Sequence, residues 1–336
     1  MTLTKPTAGE AGARGPVGRP GAGRAVAVLV LVALAALIPL LGPSTALHDT
    51  GEAAAPGVGG IALLRAVLFA ALCVPLGELL VNRLVRSLPG TPEAVPRSWA
   101  PYAAAAGFVA ALGLASVVST GNLVPHSLAD INVGGLYDSR DGRLALVEVN
   151  AFLAAGLCAL SRRPVTQVWP LAAVVAAEAL RAHPSTEHSP LVGSGLTVVH
   201  LTCATLWTGS LLYTLRTVRR WGRSELGAAL LGLYARVAAV LLAVITATGV
   251  WSSLRRMPSH TILDQLTTTA YGRTLLAKVI LVAVVALLAL WARIRLRRAA
   301  DPLTACFPAR MEIAALAVVV LVSGLLTALP LPIRWS

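Results

Sequence analysis

Runs of about 18 to 25 apolar residues recur along the whole chain, each the length a helix needs to cross roughly 30 Å of hydrocarbon at 1.5 Å per residue. A helix satisfies its own backbone groups in that medium, and short strands do not. The expected fold is therefore all-α: a polytopic transmembrane helical bundle of about nine spans, near residues 25–42, 58–82, 99–120, 143–160, 167–182, 191–214, 229–251, 271–292 and 311–330. A composition of 56% hydrophobic and 13% charged residues over 336 positions is too apolar for a soluble domain of this length.

The formal charge of +13 does not indicate nucleic acid as a partner, because the basic residues are spread over short connectors and form no single arm. "RTVRRWGR" (Arg216 to Arg223), "RIRLRR" (Arg293 to Arg298), "SRRP" (Ser161 to Pro164) and the Arg-dotted N-terminus alternate with connectors richer in His and Asp. This alternation is the positive-inside pattern. It predicts an N-terminus inside, a C-terminus outside, and a multi-pass protein of the cell (inner or plasma) membrane in contact with lipid. On that topology His48, His126, His183, His188 and His260 lie in outer connectors.

Residues 1–24, rich in Gly, Pro and Ala, read as a disordered cytoplasmic tail. Residues 25–166 read as a four-span N-terminal membrane region and 167–336 as a second membrane domain. The first apolar run is read as a retained helix, with a signal peptide ending near "PSTALH" as the alternative.

Ionisable side chains inside spans need partners or a hydrated cavity, since each costs about 2.5–3.5 kcal/mol or more at a helix centre. Arg65, Glu148, Glu178, Lys278 and His200 all fall in the expected outer half, His200 about 14 Å deep at 1.5 Å per residue. His200, Cys203 and Trp207 are spaced by three and four residues, and so are Tyr271, Thr274 and Lys278, so each trio shares a helical stripe. A polar funnel built by spans two, five, six and eight would keep both stripes off lipid. Glu178 is expected to pair with Arg181 or Lys278.

Imidazole and thiolate together suit a soft ion, so His200 and Cys203 offer two ligands, with His183 and His188 in the loop that leads into the same helix. The competing reading makes His200 an interhelical hydrogen-bonding group and the loop histidines solvated polar residues. No CxxC or HExxH pattern marks zinc. Haem is not expected, because only His200 lies clearly within a span and a second axial His would have to come from a loop. Phosphate loops, a GxSxG elbow and a dinucleotide fingerprint are absent, so no enzymatic activity is expected.

"VVHLTCATLWTGSLLYTL", then "YARVAAVLLAVITATGVWSSL", then "YGRTLLAKVILVAVVALLALWARIRLR" and the last apolar span resemble, in order and spacing, the copper resistance protein D (CopD) family over about residues 180–330. The resemblance places the family's helix His on His200, its Trp on Trp207, its Gly on Gly209, its Tyr-Gly on Tyr271 and Gly272, its Lys on Lys278 and its pre-helix His on His183. The chain reads Ala182-His183-Pro184 where the family often has Gly-His-Ala, and Gly209-Ser210 where it has a double glycine. The resemblance implies a membrane protein of copper handling, with copper ion as cargo or bound metal and a separate carrier of the CopC kind as a partner. On this reading His183, His188, His200 and Cys203 hold the metal, Glu178 and Lys278 set charge or gate, and Trp207, Gly209, Tyr271 and Gly272 shape helix contacts. The alternative is a non-transporting scaffold that binds haem or delivers copper to an oxidase.

Overall fold

The computed structural model describes residues 21–53, 55–90, 95–121, 133–183, 189–222, 224–257, 261–298 and 306–331. The described residues form eleven helices: α1 (Gly21–Leu47), α2 (Val58–Arg86), α3 (Ala100–Thr120), α4 (Val133–Asp138), α5 (Arg140–Leu160), α6 (Val168–Ala182), α7 (Pro190–Trp221), α8 (Glu225–Arg256), α9 (Ile262–Thr268), α10 (Ala270–Arg298) and α11 (Cys306–Ala328). There is no strand among them. Eight helices are long and apolar enough to cross a membrane, and the chain is a multi-pass helical membrane protein.

The expected span at 167–182 differs from the other eight. It forms α6, a helix of 15 residues preceded by a 3₁₀ turn at Pro164–Gln167. At 1.5 Å per residue α6 measures about 22 Å, short of the hydrocarbon thickness. Burial compensates for its length: Leu171 and Val174 are fully buried against the α2–α3–α5 core.

Hydrogen bonds between connectors fix which helix ends lie together. At one end Arg273 donates to the His48 carbonyl, Arg140 to the Leu180 and His183 carbonyls, Arg255 to Ser189 and Arg256 to Ala182. At the other, Arg216 donates to the Arg97 carbonyl and Tyr213 to the Pro96 carbonyl. These ends are called here the histidine face and the arginine face. The long helices alternate between them, so the described chain starts at the arginine face and finishes at the histidine face.

Glycine sets the closest helix approaches. A Cβ on Gly77 would enter the backbone of Gly209, and one on Gly209 would strike the Cys73 carbonyl oxygen, so α2 and α7 cross backbone to backbone. Such close approach is how membrane helices gain contact where lipid offers no hydrophobic drive. Gly324 of α11 similarly meets the backbone of Ala62 and Ala66 on α2. Helix α2 is thereby the hub of the bundle, packed on α3, α7 and α11.

Candidate functional site

The polar residues that sequence reasoning gathered into one funnel separate into two groups, because each buried acid closes on the nearest arginine. Arg65 of α2 donates to Glu178 of α6. Arg181 donates to Glu178 Oε1 at 3.3 Å and to Glu148 Oε2 of α5 at 3.0 Å. Glu148 is fully buried and Glu178 nearly so. Two arginines and two glutamates make a neutral unit, the arrangement in which buried charges are tolerated. The expected pairing of Glu178 with Arg181 is present. Lys278 is not a partner of Glu178, whose carboxylate is already taken by two guanidinium groups.

His183 ends α6 and is buried, at 2% exposure, where the sequence suggested a solvated connector. Its ring packs on Gly193 of α7, where a Cβ would collide with the imidazole. Its Nε2 lies 2.9 Å from Thr197 Oγ1 and 3.4 Å from Arg256 Nη2. An arginine can only donate, so the Nε2 lone pair faces a cation that already competes for it. Arg256 also donates to the Tyr271 hydroxyl at 3.1 Å, which ties the start of α10 to the end of α8. Gly272 follows because a Cβ there would enter the Gln265 backbone of α9. His188, with His126 and His260, lies outside the described residues.

His200 stands apart from this group. It is half-buried on α7, with Gly249 of α8 beside its ring. Thr248 Oγ1 donates its hydrogen to the Val244 carbonyl at 2.7 Å, the usual helical back-bond of a threonine. The same oxygen lies 3.0 Å from His200 Nδ1 and is left to accept. The hydrogen-bond pattern therefore assigns the proton to Nδ1 and leaves the Nε2 lone pair available. Holding one ring nitrogen by an outer partner is how proteins orient an imidazole toward a metal.

Cys203, a free thiol, follows His200 by three positions and is partly exposed. Lys278 of α10 is a charged side chain near enough to act on His200. Trp207, one further turn along, is buried at 3% exposure next to the Gly77–Gly209 crossing. Among the described residues no three His, Cys, Asp or Glu side chains stand close enough to hold one metal ion. His183 and His200 thus occupy separate environments, and His200 with Cys203 is the pair left with ligand atoms unclaimed.

Sequence reasoning missed Thr248 as the partner of His200, although Thr248 lies within the segment "YARVAAVLLAVITATGVWSSL" that carries the family resemblance. It also passed over Gly77, since a single glycine in an apolar run carries no periodic signal.

The family model described as copper resistance protein D matches residues 228–329, which cover α8 to α11 and include Thr248, Tyr271, Gly272 and Lys278. No curated protein and no solved structure matches the chain significantly.

Proposed function

We propose that the protein handles copper at the membrane, taking the ion from the histidine face and holding it at His200 and Cys203. What supports this reading is the Thr248 hydrogen bond, which fixes the imidazole and leaves Nε2 free one helical turn from a thiol. A neutral imidazole and a thiolate are ligands suited to copper(I). Similarity to copper resistance protein D over α8 to α11 supports copper as the metal.

In this mechanism the histidine face is the exterior one. His188 collects the ion in the connector before α7, and His183 joins only if Arg256 withdraws from its Nε2. Two ligands hold the cargo weakly enough for release, as conduction requires. Lys278 opposes a cation at His200, so ion arrival requires its ammonium to turn away or lose its proton. A separate carrier of the CopC kind would supply copper to the exterior. No bond in the cargo is made or broken apart from metal–ligand exchange, which is not enzymatic chemistry.

The test is copper-dependent accumulation in cells expressing His200→Ala and Cys203→Ser, with membrane insertion followed in parallel. Loss of accumulation with normal insertion is expected, and unchanged accumulation rejects the site. A second reading, delivery without crossing, draws on the Gly77–Gly209 contact, which leaves no space between α2 and α7 beyond Trp207. Radiocopper flux into proteoliposomes separates the two: internal copper supports transport, and bound copper without internal counts supports delivery.

A further inference from the structure

Alanine faces normally let membrane helices close on one another. Here α8 turns Ala235, Ala239 and Ala243 toward Ala286 and Ala289 of α10, yet the two helices stay apart. α8 packs along α7 and α10 along α11, and they meet each other only sparsely. The space between is a cavity of about 340 Å³. Its wall on α8 runs for about 12 Å from Ala235 to Ala243 at 1.5 Å per residue. Leu290 borders it and is half exposed, so the slot opens laterally toward the hydrocarbon.

One part of the slot is polar. Trp207 of α7, Tyr234 of α8 and Glu312 of α11 line it, and all three are at least 95% buried, with exposures of 3%, 5% and 3%. Glu312 and Tyr234 both come near the Trp207 indole. Even so, Glu312 Oε1, Trp207 Nε1 and the Tyr234 hydroxyl make no hydrogen bond of good geometry among the described residues. Arg293 of α10 stands on the same wall.

We propose that this slot binds a hydroxyl-headed amphiphile that partitions from the membrane, its apolar body between the alanine faces and its hydroxyl among Glu312, Trp207 and Tyr234. A hydroxyl is the smallest head that matches the set: it donates to the Glu312 carboxylate and accepts from the Trp207 N–H or the Tyr234 O–H. A plain acyl chain would fill the apolar part and leave Glu312 Oε1 and the Tyr234 hydroxyl with no partner better aligned than the Trp207 N–H, in a place where water cannot substitute. Small ligands of this kind take apolar pockets with a few convergent polar groups. The site is separate from His200 and does not depend on the copper reading.

The experiment uses the full chain in lipid nanodiscs and two photoactivatable probes, a diazirine-bearing long-chain alcohol and its methyl ether. The alcohol is expected to label α8 and α10 peptides several-fold more than the ether. Glu312→Leu and Trp207→Phe should reduce alcohol labelling to the ether level, and Ala239→Leu, which fills the slot, should suppress both. Should Glu312→Leu fail to fold, Trp207→Phe, which keeps an aromatic ring and removes the indole N–H, carries the test alone. Equal labelling by the two probes identifies an acyl-chain gap and overturns the proposal. Absence of label in the slot, or a cross-link there to a second copy of the chain, overturns it as well.

Discussion

Gly77 of α2 and Gly209 of α7 meet backbone to backbone, with the Cys73 carbonyl oxygen standing where a Gly209 Cβ would be. Neither neighbour is a flexible side chain that can swing aside. Gly209→Ala and Gly77→Ala are therefore expected to push the two helices apart. Overpacking of this kind costs about 1–3 kcal/mol, and more where backbone must move. Thermal unfolding in detergent should show both variants melting earlier than the parent. Gly232→Ala, on α8 with open space around its Cβ position, should melt like the parent.

The Arg65–Glu178–Arg181–Glu148 unit makes a second prediction, because its members are buried and mutually neutralising. Glu178→Gln leaves Arg65 facing a neutral amide within the membrane. Breaking a buried pair by removing one partner costs about 3–5 kcal/mol. Thermal unfolding should place this variant among the least stable, whereas Lys278→Met, outside the unit, should leave unfolding near the parent value. Equal destabilisation by the two would tie Lys278 to the acids after all.

The bundle was legible in the sequence because apolar runs and arginine-bearing connectors follow directly from bilayer thickness and topology, and eight of nine runs became long helices. α6 was the exception: its run "VWPLAAVVAAEALRA" stops at His183 because a buried His and two charged residues use its last turns for tertiary contacts. The stripe of His200, Cys203 and Trp207 was legible from helical spacing. Which nitrogen of His200 is free was not, since that depends on a threonine 48 positions later on another helix. His183 looked like a loop residue because its burial comes from Gly193 and Thr197, and packing between helices has no local signature. Glu312 was overlooked because it falls one residue inside the last apolar run, where a carboxylate reads as a span boundary.

At the arginine face, Arg216 lies over the Trp99 ring at 3.5 Å, donates to the Arg97 carbonyl at 2.7 Å and stands 3.5 Å from Glu78 Oε1. Glu78 in turn accepts from Ser98 Oγ and the Trp99 N–H. A planar guanidinium can stack and donate at once, and an ammonium cannot. Arg216→Lys is expected to lose the stacking and the carbonyl bond while keeping the charge, for about 1–2 kcal/mol. Hydrogen exchange measured by mass spectrometry should show faster exchange at residues 95–99. Unchanged exchange would mean charge alone holds the connector.

Thr248 provides the sharpest test of the copper site, since it touches His200 and not the cargo. Thr248→Val keeps the shape of the side chain and removes the acceptor for Nδ1–H, so the imidazole is free to rotate or change tautomer. Loss of such an orienting partner typically lowers metal affinity about 10–100-fold. Thr248→Ser keeps the oxygen and should bind copper like the parent. Titration of the purified protein with copper(I) against a chromophoric chelator reads both. If valine and serine bind alike, the hydrogen bond serves only to join α7 and α8.

Lys278 acts on the same site with opposite sign. Lys278 is the charged side chain that bears on His200, and Glu178, the acid expected to pair with it, is occupied by Arg65 and Arg181. A copper(I) ion that reaches His200 before the Cys203 thiol gives up its proton is therefore repelled by Lys278, which has no acidic partner among the described residues. Removing one like charge near a partly buried site is worth about 1–2 kcal/mol once the thiolate that binds the ion offsets part of the repulsion. Lys278→Met should accordingly bind copper(I) on the order of tenfold more tightly or better, and Lys278→Arg, which cannot shed its proton, should bind more weakly than the parent. The same chelator titration gives the order of the three proteins. An unchanged affinity in Lys278→Met would show that the charge of Lys278 does not reach the bound ion.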